Sequence, residues 1–307
     1  MATELPPLPR GSVVTVGTFD GVHRGHRAVI EELARRAERA ERSSVLVTFE
    51  PHPAAVVRPE AAPARLTLAH ERAAALAETV LDYVVVLRFD RALAAMAPEE
   101  FVRRVLVRRC GVRELVVGHD HGFGRDRQGD RVMLERLGRA EGFAVDVVAP
   151  VDDDGVISSS RIRQAIEAGD LATARRLLGR PYRISGRVVR GAGRGRGIGV
   201  PTINLAPPPG KLLPPDGVYA VRVEAGGRPV GGMMNQGARP TFGDADRWLE
   251  AHLFDFAGEL YGRDVRVEWV KRLRGVRRFG SADELRQQLA HDREQARDAL
   301  AGLVPQP

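Results

Sequence analysis

Five short runs rich in β-branched and aliphatic residues recur through the first half of the chain: VVTV (13–16), VLVTF (45–49), YVVVL (83–87), ELVV (114–117) and VDVV (145–148). Between them the apolar period lengthens. Ile30, Leu33, Ala34 and Ala37 fall on one face of a 3.6-residue helix, and a second helical pattern begins near Pro98 and stops before Gly111. This alternation predicts a parallel sheet with crossover helices. Two shorter helices follow, one opening at the serine cluster 158–160 and ending near Gly169, the other capped by Asp170.

After Pro181 the pattern changes. YRISGRVVR, GVYAVRVEA, VGGMMNQ, WLEAHLFDF and DVRVEWVKRL are strand-like and separated by Gly- and Pro-rich turns, with no helical period between them. Such a series predicts a small antiparallel barrel or sandwich. Ser281 and Glu284 then form a capping box for a last helix through about residue 299, with Leu285 and Leu289 on one side. A length of 307 residues suits two cores. The change of pattern near 179–183 divides the chain into domains 1–180 and 181–307.

No run of about eighteen apolar residues is present to span a bilayer, and the opening MATELPPLPRG lacks the regions of a signal peptide. The expectation is a soluble, cytoplasmic protein. Cys110, the single cysteine, has no partner for an internal disulfide or a thiolate zinc site and reads as a small hydrophobe near a helix end. The formal charge of +7 points to anionic partners without separating nucleotides from nucleic acid. Lys211 and Lys271 are the only lysines, so the positive charge is almost all guanidinium, suited to bidentate phosphate contacts.

Two segments carry candidate chemistry. In VTVGTFDGVHRGH (14–26), Gly17 follows a strand directly, and His23 and His26 stand at the mouth of the next helix. Gly17, Gly21 and Gly25 allow close backbone approach, helix-start amides bind anions, and ligands collect at the carboxyl ends of strands in α/β sheets. Two histidines there can donate to nucleotide phosphate oxygens as charge builds. An H-x-x-H pair also reads as a surface pair or as half of a metal site, the latter needing further ligands.

In the second segment, GAGRGRGIG (191–199) has glycine at every second position, and its amides, Gly193 and Gly195 among them, can wrap ATP phosphates. A Gly/Arg loop also occurs in RNA-binding segments. Thr202 and Asn204 in the following VPTIN offer neutral oxygens suited to Mg2+ held mainly by phosphates and water.

GTFDGVHRGH resembles the signature of HxGH-type nucleotidyltransferases. VTFEPHP (47–53), LRFDRALAAMAPEEFV (87–102), VGHDHGFGRDRQGD (117–130) and ISSSRIRQAI (157–166) follow in the order and spacing of the adenylyltransferase half of bacterial bifunctional riboflavin kinase/FAD synthetases. GMMNQGARPTFG (232–243) and the stretch 249–274 extend the resemblance over riboflavin kinases.

The resemblance implies a Rossmann-like parallel sheet followed by a small β-barrel with a terminal helix. It further implies that His23 and His26 contact ATP phosphates, that Gly17, Phe19 and Asp20 shape the nucleotide and flavin pocket, and that Asp120 lies near the substrates. Ser159, Ser160 and Arg163 become phosphate contacts, an assignment that hydroxyls and a guanidinium at a helix start also support physically. Thr202 and Asn204 position Mg-ATP, and Glu250 becomes the catalytic base.

The implied reactions use ATP as co-substrate, convert riboflavin to FMN and FMN to FAD, and need neither nucleic acid nor membrane; a weak homo-oligomer is left open. His121 departs from the aromatic usual after the aspartate, and Ser160 replaces a frequent threonine. His52, between two prolines, reads as a turn residue satisfying a backbone carbonyl. By alternation alone, Glu250 would be an outward strand residue between Leu249 and Ala251. A basic RNA-binding protein and a single-activity enzyme are the competing readings.

Overall fold

A computed structural model describes residues 5–118, 131–190, 202–225, 227–238 and 247–302. They group into two compact units, Met1–Ser159 and Ser160–Pro307.

The first unit is a five-stranded parallel sheet. Its strands β1 (Ser12–Val16), β2 (Ser43–Glu50), β3 (Tyr83–Arg88), β4 (Val112–Gly118) and β5 (Ala144–Val148) lie in the order β3-β2-β1-β4-β5. All five predicted runs are strands. Central β1 is buried along its whole length, as a parallel strand covered on both faces must be. The order reverses between β1 and β4, so the crevice at their carboxyl ends is the topological switch point where ligands bind in such sheets.

Helix α1 (Arg24–Arg39) buries Ile30, Leu33 and Ala37 against the sheet side, matching the predicted face. Arg36 on α1 donates to Glu32, to Glu114 of β4 at 2.6 Å and to Asp146 of β5. Burial alone would depress this guanidinium's pKa, but the three carboxylates hold it above the ordinary arginine value. These bonds fix the direction in which α1 presents its first turn.

The remaining described helices of this unit are α2 (Pro53–Val57), α3 (Ala69–Ala77), α4 (Arg91–Ala95), α5 (Pro98–Phe101) and α6 (Arg131–Glu141). Chain pattern predicts neither α3 nor α6. The inward face of α3 includes Glu71 and Arg72, so the apolar period that marks a helix is missing there. The predicted helix from Pro98 exists, but after α5 it widens into a π-helical stretch, Val102–Arg109. Cys110 closes it, fully buried, and that burial pushes its thiol up to about 11, as a packed hydrophobe rather than a reactive group.

The second unit opens with helices α7 (Ser159–Glu167) and α8 (Leu171–Leu178). Asp170 caps α8 by accepting from the Thr173 amide at 2.9 Å, and Gly179, at φ 74°, ends it in the left-handed region where glycine is favoured. Helix α8 packs on β6 and β11. Strands β6 (Tyr182–Val189), β7 (Ile203–Leu205), β8 (Gly217–Ala225), β9 (Arg228–Ala238), β10 (Arg247–Leu253) and β11 (Asp264–Arg274) close in the order β10-β7-β6-β11-β8-β9. A closed barrel, not a sandwich, is thus the outcome, and closure leaves no unpaired edge.

Polar side chains fasten a proline-rich loop to the barrel. Gln236, fully buried, donates to the Pro214 carbonyl and accepts from the Trp269 indole at 3.2 Å, while Tyr182 donates to the Leu212 carbonyl at 2.7 Å.

Helix α9 (Ala282–Ala301) is capped by Ser281, whose side chain accepts from the Glu284 amide. Its buried positions are Asp292 and Ala296, with Leu289 and Leu300 packed beside Ala220, Met233 and Phe254. Asp292 takes three hydrogen bonds from Arg274 of β11, at 2.8 to 3.1 Å, and a fourth from Gln288. Asp292→Ala leaves this guanidinium without its partner, at a cost on the order of 3 kcal/mol. Calorimetry of the full chain should show the barrel transition lowered by roughly 10 °C.

Candidate active sites

In the first unit the chain leaves β1 through a turn that holds two residues in the left-handed region, Phe19 at φ 50° and Val22 at φ 41°. For a β-branched residue that conformation is strained and persists only where surrounding bonds over-determine it. Those bonds are present. The Asp20 carboxylate, buried, accepts from the Leu66 amide at 3.1 Å, the Thr67 amide at 2.9 Å and the Thr67 hydroxyl at 3.1 Å. The Gly21 amide donates to Thr67 Oγ1 at 3.0 Å.

The turn delivers His23 as the N-cap of α1, its Nδ1 accepting from the His26 amide at 3.2 Å. That bond fixes His23 in the tautomer whose Nε2 carries the proton, a donor. His26 sits one turn along, its ring stacked on that of His23 with centroids 3.6 Å apart and tilted against Phe19 at 4.9 Å. A Cβ at Gly25 would lie 3.2 Å from the His23 ring, so the glycine between the histidines is what lets them stack. Gly17 acts by small size too: its amide donates to the Val47 carbonyl, and a Cβ there would meet the Phe19 ring at 3.0 Å.

These residues line a cavity of about 880 Å³. His23, Gly25, His26 and Ser159 give it polar groups, and Phe49, Phe89, Leu93, Met96 and Phe101 form an apolar wall in which Phe89 meets Phe49 edge-on at 5.5 Å. The lining pairs an apolar, aromatic surface with polar side chains, the usual make-up of a small-molecule site. Ser159, the first residue of α7, donates to the Asp20 carbonyl at 2.9 Å and so ties this wall to the histidine turn.

The Asp20 carboxylate, expected to help shape the flavin pocket, accepts from the Leu66 and Thr67 amides. Ser160 and Arg163 belong by contacts to the second unit, the first exposed and the second half-buried. His52 accepts from the Ala54 amide at 3.1 Å and caps α2. Asp120, His121, Gly193 and Gly195 lie outside the described residues. Missed from the sequence was Arg72, buried behind the turn, where desolvation lowers its pKa and the charges of Glu50 and Asp20 partly restore it.

The barrel brings its own candidates together. In β10, Leu249 and Ala251 are fully buried, which places Glu250 on the opposite face of the strand. Directly across from Glu250 stand Asn204 of β7 and Asn235 of β9. Thr202, just before β7, donates its hydroxyl to Glu250 Oε1 at 2.7 Å. The outward position that alternation predicts is therefore part of a polar row of carboxylate, hydroxyl and amides, buried at Asn204 and open to solvent at Asn235. Among the described residues no group of three His, Cys, Asp or Glu side chains is placed to hold a metal ion. The hydroxyl and amide oxygens of Thr202 and Asn204 are nevertheless the hard neutral donors that suit Mg2+ arriving with phosphates.

Among the described residues no helix is long and apolar enough to cross a membrane. The chain is 34% identical, with a TM-score of 0.84 over 94% of each chain, to a structure titled "Crystal Structure of Macrolide-efflux Protein from Streptococcus pneumoniae". Residues 5–161 match the family model described as FAD synthetase, and residues 178–300 the one described as riboflavin kinase. The bifunctional riboflavin kinase/FMN adenylyltransferase of Escherichia coli (strain K12) is 43% identical over 96% of this chain and 95% of its own length. Its counterpart in Pseudomonas fluorescens is 44% identical over 97% and 95%, and that of Bacillus subtilis (strain 168) is 35% identical over 93% and 91%. With both halves matched in order over nearly the whole chain, the protein belongs to the bifunctional riboflavin kinase/FMN adenylyltransferase family.

Proposed function

We propose that the chain makes FMN and FAD at two separate centres, phosphorylating riboflavin in residues 181–307 and adenylylating FMN in residues 1–180. The observation that supports this most strongly is the pairing of Glu250 with Thr202 beside Asn204, in a chain whose other unit lines a cavity with stacked histidines.

In the barrel, Glu250 accepts the proton of the ribityl 5'-hydroxyl as its oxygen bonds to the γ-phosphorus of ATP; the bond to the β-phosphate oxygen breaks, giving FMN and ADP. Thr202 orients the carboxylate by its hydrogen bond. Thr202 and Asn204 are the residues that would hold Mg2+, which when bound offsets the charge of the phosphates. Gly193 and Gly195 are assigned to ATP binding on the family resemblance.

In the cavity, a phosphate oxygen of FMN bonds to the α-phosphorus of a second ATP and pyrophosphate leaves; no covalent enzyme intermediate is needed. His23 and His26 donate to the phosphates as charge develops, with Ser159 adding a contact. The wall of Phe49, Phe89 and Met96 takes the isoalloxazine, Asp20 serves by holding the turn, and Asp120 is assigned to flavin binding on the family resemblance. The substrates place the protein in the cytoplasm, with neither nucleic acid nor membrane as partner.

Incubation with ATP, Mg2+ and riboflavin, followed by chromatographic separation, should show FMN appearing first and FAD after it. RNA binding with no flavin turnover would favour the rival reading, and FMN without FAD would leave a single-activity kinase.

A further inference from the structure

The segment from Leu66 to Arg72 reaches two walls of the first unit's cavity from behind. Arg72 on α3, whose side chain is 6% exposed, donates from Nη1 to the Thr18 carbonyl at 2.9 Å and from Nη2 to the Phe49 carbonyl at 2.7 Å. Nη2 also donates to Glu50 Oε2 at 2.9 Å, and Glu50 takes a second guanidinium, Arg65, on its other oxygen. Thr18 belongs to the turn that carries the histidines, and Phe49 to the apolar wall; both line the cavity. One planar fork therefore sets the spacing between the phosphate-facing and the flavin-facing sides.

A buried ion pair alone would not call for this arrangement, since apolar packing usually serves a core as well. The backbone carbonyls it holds are the informative partners. A guanidinium offers donors at fixed angles, which a lysine's point charge does not. The turn beyond Thr18 is strained at Phe19 and Val22, so the grip on its carbonyl opposes relaxation to an ordinary conformation.

We propose that Arg72 is a positioning residue for adenylylation, holding the histidine turn in register with the flavin wall so that the attacking phosphate and the α-phosphorus are aligned. This rests on the adenylyltransferase reading of the cavity. Misalignment acts on the chemical step, so Arg72→Ala should lower kcat for FAD formation from FMN by roughly 100-fold, with KM for ATP changed by less than about threefold.

The full-length variant is assayed for both reactions, with kinase activity and the first calorimetric transition reporting on folding. Millimolar guanidinium should restore at least about tenfold of the lost adenylylation in Arg72→Ala, whereas methylammonium should not. Arg72→Lys, which keeps the charge, should retain the kinase activity and still show the kcat loss; it decides the matter if the alanine variant fails to fold. Wild-type kcat in either variant, or a folded alanine variant that guanidinium leaves unrescued, overturns the proposal. If the wild-type chain itself makes no FAD from FMN, the reading of the cavity fails instead.

Discussion

Glu250→Gln should lower kcat for riboflavin phosphorylation by about 10²- to 10⁴-fold while FAD formation from supplied FMN stays within about twofold of wild type. The substitution keeps the size of the side chain and an oxygen able to accept from the Thr202 hydroxyl, which now lies 2.7 Å from Oε1. What it removes is the negative charge that takes the proton of the attacking alcohol. Leu249 and Ala251, fully buried on either side, keep β10 in register, so the effect falls on chemistry rather than folding. A steady-state assay of FMN production, with FAD production measured in the same preparation, separates the two.

His26→Ala should have the reciprocal effect, a loss of about 10²- to 10³-fold in FAD formation with FMN formation preserved. His26 adds its ring to the stack with His23 on the first turn of α1. Its backbone amide continues to donate to His23 Nδ1 in the alanine variant, so the cap survives. His23→Ala removes that cap as well, costing about 1 kcal/mol of stability beyond the catalytic loss. Histidine 26 is thus the cleaner probe.

Much of the fold was legible because period and turn chemistry are local. The five β-rich runs became β1 to β5, Asp170 and Ser281 capped the helices they were expected to cap, and Gly179 ended α8. The site candidates were chosen on a different ground: H-R-G-H and the acidic position between Leu249 and Ala251 sit inside motifs whose spacing is specific.

Partners distant along the chain left no such trace. The hydrogen bonds that hold the Asp20 carboxylate come from residues 66 and 67, far along the chain. Arg72 was one arginine among many until α3 folded it beneath the sheet, and a helix with Glu71 and Arg72 inside has no apolar stripe to read. The π-helical widening after Phe101 likewise went unread, since a helical apolar period was sought only at 3.6 residues per turn.

Two independent centres in one chain make a demand that a single shared centre cannot meet. Glu250→Gln and His26→Ala are mixed and given riboflavin, ATP and Mg2+, with each variant alone as control. The account predicts FAD from the mixture at least about tenfold faster than from either variant alone, through FMN released by one and taken up by the other. FAD from either variant alone at the mixture's rate, or loss of both activities in either one, would contradict it.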